Sequence, residues 1–256
     1  MTFTGKTGVV TGGTHELGVI LVKQLVEAGA RVIVVGRNLK AGQQLEQQMP
    51  HAIRFVACDI SHEAQVAQLF LNIEQQEGAL HFAVNNAGVT SPRAPIHSID
   101  MKAWKQVLDV NLNGALLCLK HELQLISKTK GGTIVNVSSC AGVLPYADQA
   151  AYSVSKAALN CLTQVAAIEN AQDHEGRHAV RVNAIAPGPI LGGMNTPERL
   201  AANPEATRKK LAITAMGRMA APEEIVASIM YLLSDASSYM TGTILNTDGG
   251  YSSGKF

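Results

Sequence analysis

Short, almost uninterrupted apolar runs recur along the chain, and each is followed by a longer stretch with helical periodicity. The runs are TGVVTG, RVIVVG, AIRFVACD, ALHFAVNNAG, GTIVNVSS, AVRVNAIA and GTILNTDGG. A strand that is apolar on both sides must be covered on both faces, and parallel sheets with crossover helices provide that cover. Residues 16–28 carry Leu17, Ile20, Leu21, Leu25 and Ala28 on one helical face and stop at Gly29. Further helices are predicted at 39–49 (closed by Pro50), through HEAQVAQLFLNIEQQ, at 101–111 behind the cap Asp100, at 114–128, at 150–170 and from Pro222 onward. Residues 187–214, rich in Pro, Gly and Asn, read as irregular with a short helix. With no linker, repeat or low-complexity stretch to divide them, residues 1–256 are expected to form a single doubly wound α/β domain, a parallel sheet with helices on both faces. Ligands of such sheets bind beyond the carboxyl ends of the strands, so the chemistry should lie just after Val10, Val35, Val84, Val137 and Ala186.

Composition narrows the partners. Hydrophobic residues make up 46% of the 256 and charged residues 16%, enough for a large buried core. The net charge of +1 is spread without a basic block, which argues against nucleic acid. Neither a leader-like apolar run nor a membrane-spanning one is evident. Cys58, Cys118, Cys140 and Cys161 are scattered without a CxxC pair and read as reduced thiols of a cytoplasmic protein. No metal site is expected from the eight histidines.

The turn after the first run holds Gly12, Gly13 and Gly18. Glycine lets backbone approach a ligand closely, and the helix that follows offers free N–H groups to a diphosphate. Alone this is weak evidence; at the first strand-to-helix turn of a doubly wound sheet it is much stronger. A dinucleotide fold often ends its second strand in an acid that binds the adenine ribose, but this chain has Gly36, Arg37 and Asn38. Arg37 suits a 2′-phosphate, or is a solvated surface arginine; the missing acid and available cation favour NADP(H), with NAD(H) as the alternative. Asp59 could accept from an adenine amino group or cap the next helix. The turn Asn86, Ala87 and Gly88 could lay its backbone against the adenosine, while an asparagine of NNAG ties neighbouring strands. Ser139 ends the fifth strand, Tyr152 follows thirteen residues later and Lys156 four after that. Positions i and i+4 share a helical face, so the ammonium is expected beside the phenol, lowering its pKa from ~10 towards that of a useful acid/base.

These pieces, together with VNLNG, RVNAIAPGPI and GRMAAPEEI in the same order, resemble the short-chain dehydrogenase/reductase family over essentially the whole chain. The resemblance implies a Rossmann-like, seven-stranded sheet and hydride transfer between NAD(P) and an alcohol or carbonyl. Carried over, Tyr152 is the general acid/base, Ser139 polarises the carbonyl, Lys156 lowers the tyrosine pKa and holds the nicotinamide ribose, and Asn111 holds a relay water. The cofactor contacts would come from Gly12, Thr14, His15, Leu17 and Gly18 of TGGTHELG, from Arg37 and Asn38, from Asp59 and Ile60 of CDI, from Asn86, Ala87 and Gly88, and from Tyr152, Lys156, Pro187, Gly188 and Ile190. Many members are tetramers, which here would pair through the helix after Pro222 and the last strand.

Two positions depart from the family pattern. Glu16 replaces the middle glycine of the turn, and is read as an outward-facing first-turn residue whose charge suits the helix dipole. Gly192 stands where a threonine often contacts the carboxamide; Thr196 or backbone groups would have to substitute. Residues 191–215 are read as a mobile lid, or else as an ordinary loop. Cys140 and Trp104 are read as packing residues, and His15 either approaches the 2′-phosphate or is a solvated turn residue. The leading function is an NADP(H)-dependent carbonyl reductase or alcohol dehydrogenase acting on a small molecule. The alternatives are a 3-oxoacyl-acyl carrier protein reductase, for which Lys128 and Lys130 would supply a docking surface, and a non-catalytic dinucleotide-binding regulator. The substrate pocket falls in 89–99, 141–149 and 191–215, with Arg93 as the one candidate carboxylate clamp.

Overall fold

Each apolar run becomes a strand of one parallel sheet in the computed structural model, which describes residues 2–193 and 195–254 except the side chains of Ala206 and Lys210. The strands are β1 (Thr7–Thr11), β2 (Arg31–Gly36), β3 (Ile53–Ala57), β4 (Phe82–Asn85), β5 (Gly132–Val137), β6 (Val180–Pro187) and β7 (Ile244–Thr247), in the order β3-β2-β1-β4-β5-β6-β7. The order reverses between β1 and β4, whose register pairs Thr11 with Asn85 at the carboxyl edge. That crevice is where a doubly wound sheet opens for a ligand.

Successive strand residues face opposite layers. Val10, Val34, Val84 and Val135 pack under α1 (Glu16–Glu27), α2 (Leu39–Gln48) and α9 (Pro222–Leu233), against Leu21, Leu25, Leu45, Ile225 and Ile229. Their neighbours Val9, Ile33, Ala83 and Ile134 pack on the other face under α3 (Glu63–Glu77), α5 (Ala115–Ile126) and α6 (Ala150–Glu169), against Val66, Phe70, Ile73, Leu119 and Ala166. Each such aliphatic burial contributes about 1.5–3 kcal/mol, and truncating fully buried Leu21 to Ala should cost about 2–5 kcal/mol. Among the described residues no helix is long and apolar enough to cross a membrane.

Two segments differ from the sequence expectation. The helices predicted at 101–111 and 114–128 are one rod: α4 (Met101–Leu108) passes through a π-turn, Asp109–Gly114, into α5. The π-turn adds a residue to one turn without ending the helix, which periodicity reads as a break. The stretch expected to hold one short helix holds two, α7 (Pro197–Ala202) and α8 (Pro204–Leu211), each opened by a proline whose missing N–H costs nothing at that position.

Candidate active site

A cleft of about 1240 Å³ opens along the carboxyl edge of the sheet, large enough for a dinucleotide and a small substrate together. Its floor begins at the first turn. Gly12 has φ +65°, and a β-carbon there would lie 2.9 Å from Ala87 Cα; one on Gly18 would lie 2.3 Å from Gly12 O. Only glycine permits this packing of turn, helix and neighbouring strand. His15 occupies the N-cap of α1 without a side-chain cap bond, so the helix N-terminus keeps donors for an anion. The Thr11 hydroxyl accepts from Asn86 N (3.1 Å) and Ala87 N (3.2 Å), and Asn86 Nδ2 donates to Gly12 O (3.1 Å), so the two turns form one platform. This cradle fits a dinucleotide diphosphate.

Thr14, His15, Leu17, Arg37, Asn38, Asp59 and Ile60 line the cleft from the β1, β2 and β3 side, and Asn86, Ala87, Gly88, Pro187, Gly188 and Ile190 from the middle. Gly18 is buried behind the turn rather than lining it. Asn38 Oδ1 caps α2 through Ala41 N (3.1 Å). Arg37 Nη1 lies 3.5 Å from Asp59 Oδ2, so the guanidinium expected to await a phosphate already has a carboxylate neighbour. Burial alone would raise the Asp59 pKa, but the Ser61 hydroxyl and N–H and the Arg37 charge outweigh it and hold the group below the ordinary carboxylate range.

Ser139, Tyr152 and Lys156 converge on the same cleft from the end of β5 and from α6. Lys156 Nζ donates to Val137 O (2.8 Å) and lies 5.9 Å from the Tyr152 ring centroid. The expected lowering of the phenol pKa is not what the protein alone produces. Burial raises the Tyr152 pKa, with the Ser139 hydroxyl opposing, and burial pushes the Lys156 ammonium down to about 8. Desolvation disfavours both charges at once. Asn111 sits in the π-turn behind the cleft wall: its amide clasps Val89, accepting from Val89 N (2.8 Å) and donating to Val89 O (2.9 Å), and donates to Ser155 Oγ (3.1 Å). A β-carbon at Gly88 would lie 3.5 Å from both Asn111 Oδ1 and Lys156 Nζ, so these two side chains face a common space beside Gly88.

Glu16 corrects the picture drawn from sequence. It opens α1 and is exposed, yet its carboxylate turns towards the 192–193 backbone: a β-carbon on Gly192 would lie 2.7 Å from Glu16 Oε2, and one on Gly193 2.9 Å. The two departures from the family pattern therefore meet in space. Thr196 does not replace the missing threonine; its hydroxyl caps α7 through Arg199 N (3.4 Å) and it does not line the cleft. Cys140 is packed as expected, 3.7 Å from the Tyr146 hydroxyl, with its thiol pKa raised by burial. Trp104 does not line the cleft. Lys128 is paired with Glu74 (2.6 Å), and with Lys130 it precedes β5, at the opposite edge of the sheet from the cleft.

Sequence reasoning missed two groups. Tyr146 stacks on Tyr251 (5.0 Å between centroids), whose hydroxyl donates to Leu144 O (2.9 Å), so the C-terminal segment braces the cleft wall. Beneath β4, Glu122 is fully buried and accepts from Asn85 Nδ2 (2.8 Å), which also donates to Asn136 Oδ1 (3.0 Å), tying β4 to β5. Burial raises the Glu122 pKa to about 8. A lone Glu within the apolar periodicity of 114–128 was the available signal.

A family model described as enoyl-(acyl carrier protein) reductase matches residues 12–252. The cis-4-hydroxycyclohexanecarboxylate dehydrogenase of Sinomonas cyclohexanicum is 36% identical over 97% of both chains. The 2,5-dichloro-2,5-cyclohexadiene-1,4-diol dehydrogenase of Sphingobium indicum is 34% identical, again over 97% of both. A solved short-chain type dehydrogenase/reductase from Mycobacterium ulcerans superposes with a TM-score of 0.87 at 34% identity, covering 100% of this chain and 92% of that one.

Proposed function

The chain belongs to the short-chain dehydrogenase/reductase family and is an oxidoreductase acting on CH–OH groups; from that premise we propose that it moves a hydride between NADP(H) and a cyclic secondary alcohol or its ketone, with Ser139, Tyr152, Lys156 and Asn111 as the working set. The observation that carries this reading is the convergence of Ser139, Tyr152 and Lys156 on a cleft that also holds the glycine cradle. The cradle, the α1 N-terminus, Arg37 and Lys156 would hold the dinucleotide, which supplies or accepts the hydride when bound. Ser139 donates a hydrogen bond to the substrate oxygen. The Tyr152 hydroxyl, its pKa raised by burial, is protonated near neutrality and gives its proton to that oxygen during reduction. Lys156, anchored by Val137 O, places positive charge beside the phenolate left behind. Asn111 positions Val89 and, through Ser155 Oγ, which donates to Tyr152 O (2.8 Å), the catalytic turn of α6.

Arg37 in place of a second-strand acid supports NADP(H), and the ring alcohols named for the two relatives support a cyclic substrate. A panel of cyclic ketones with NADPH and with NADH, followed at the nicotinamide absorbance, tests this. Reduction with a 10-fold or greater NADPH preference, on the order of the ~1.5–3 kcal/mol of one charge-assisted contact, is expected; absence of turnover with both cofactors overturns it. We also infer a cytoplasmic homotetramer. Val154, Cys161, Val165 and Ile168 form an exposed stripe on one face of α6, with Ile168 80% exposed, and such a stripe supports burial against a second copy. Light scattering of Ile168→Asp, expected to give a smaller species than wild type, checks it.

A further inference from the structure

We propose that the substrate end of the cleft is a carboxylate-binding subsite built on Arg93, so that the preferred substrate is a hydroxy acid or keto acid. The segment after β4 that carries Arg93 is joined to the segment after β5 by Ala94 N donating to Asp148 O (3.0 Å). With the Gln149 amide oriented to satisfy both partners, Arg93 Nε and Nη2 each donate to its oxygen at 3.1 Å. One edge of the guanidinium is thus held in place by a neutral oxygen, while Nη1 and the rest of the fork remain for a second acceptor. The fork geometry suits the two oxygens of a carboxylate.

Charge accounting along the cleft supports the choice. Arg37 has Asp59 at 3.5 Å, and Lys209 has Glu205 at 2.8 Å. Arg93, like Arg199 and Lys156 along the same cleft, has no ion-pair partner among the described residues, but Arg199 and Lys156 are held by backbone carbonyls, whereas Arg93 is held on one edge by the Gln149 amide at the start of α6. Arg93, exposed and held on one edge, leaves its other edge free for an anionic ligand. That ligand is not the dinucleotide diphosphate: the cradle is the turn after β1 against Asn86 and Ala87, whereas Arg93 lies further along the segment after β4, fixed to the N-terminal end of α6. Gln149, which holds Arg93, is the N-cap of α6 and precedes Tyr152 by three residues. Arg93 and Tyr152 line the same cleft, so an acid group on the first and a carbinol oxygen at the second belong to one small substrate.

The proposal rests on the hydride-transfer reading of the same cleft, and two readouts separate the two. The first is the ratio of kcat/KM for 4-oxocyclohexanecarboxylate to that for its methyl ester. Wild type should prefer the acid by roughly 10- to 100-fold, the scale of a charge-assisted pair, and Arg93→Gln should erase the preference. Gln149→Glu, which sets a fixed carboxylate in the fork, should erase it with Arg93 intact, so a folding failure of one variant leaves the other. Equal use of acid and ester by wild type, or an unchanged ratio in both variants, overturns the subsite. The second is calorimetric titration of cyclohexanecarboxylate into protein saturated with NADP⁺. Binding lost in Arg93→Gln supports the clamp even if no ketone turns over, a result that would sink only the hydride reading; binding equal in both proteins overturns the clamp whatever the activity.

Discussion

The two walls of the cleft are built differently. The floor, at the ends of β1, β4 and β5, is made of buried polar side chains tied to one another and to the neighbouring backbone: Thr11, Asn85, Asn111, Asn136 and Lys156 are at most 4% exposed, each with hydrogen-bond partners. The roof is α7, α8 and the glycines before them. Helix α7 buries none of its residues, and the base of the roof hangs on a few backbone bonds, Leu191 N to Ala220 O and Ala220 N to Pro189 O, each 2.9 Å. Buried, hydrogen-bonded polar groups fix one geometry, whereas sparse exposed contacts leave a segment at the low end of local stability. On the proposed reading the floor carries the reaction, and the roof controls what enters and how tightly it is held.

The comparison is broken most directly at Tyr152. Tyr152→Phe should lower kcat by about 10²–10⁴-fold while the dissociation constant for NADPH, read by fluorescence, moves by less than about threefold. A large loss of cofactor affinity would show that floor and binding are not separable. Next in size is Glu122. Its pKa is raised in the folded protein, so its stabilising contribution is complete below the ordinary carboxylate range and is lost as pH rises towards about 8. Wild type should therefore lose melting temperature relative to Glu122→Gln between pH 5 and 8, at no more than about 1.4 kcal/mol per pH unit; parallel curves would mean that the acid is not held neutral. Lys156, lowered to about 8, has the opposite slope, adding stability as pH rises from there towards its ordinary value.

A third test joins the two walls. Gly192→Thr places a side chain against Glu16 at a φ of +89° and should weaken NADPH binding on the order of 10-fold with little change in melting temperature. Adding Glu16→Gly should recover part of that loss, a coupling of about 1 kcal/mol; strict additivity would mean that the contact carries no energy. The smallest effect belongs to the roof alone. Thr196→Ala removes the α7 cap, worth about 0.5–1 kcal/mol, and should speed amide exchange in 197–211 by about two- to fivefold without moving the global transition.

The floor was more legible than the roof. Continuous apolar runs ended in Gly12, Asn86 and Ser139 because parallel strands must be apolar and must stop where a ligand begins, so strand ends and candidate residues could be read together. Tyr152 and Lys156 stood out because their helical spacing follows a strand-end serine and a glycine turn in order. The π-turn around Asn111 escaped because one inserted residue shifts the phase that periodicity depends on. The direction of the Tyr152 shift escaped because spacing reports proximity of charge and not depth of burial. Glu16 was misplaced because its neighbour, Gly192, is distant in sequence, and a glycine advertises no contact.

The meeting of Glu16 with Gly192 and Gly193 also bears on how this scaffold could be recombined. A chimaera that imports a threonine-bearing lid from a relative while keeping the native first helix would drive a methyl-bearing carbon into a carboxylate, and the reverse exchange would leave a gap under two bare glycines. The opening turn and the distant lid thus form one unit of exchange, and a library that shuffles them independently should recover cofactor affinity only in the matched half of its members.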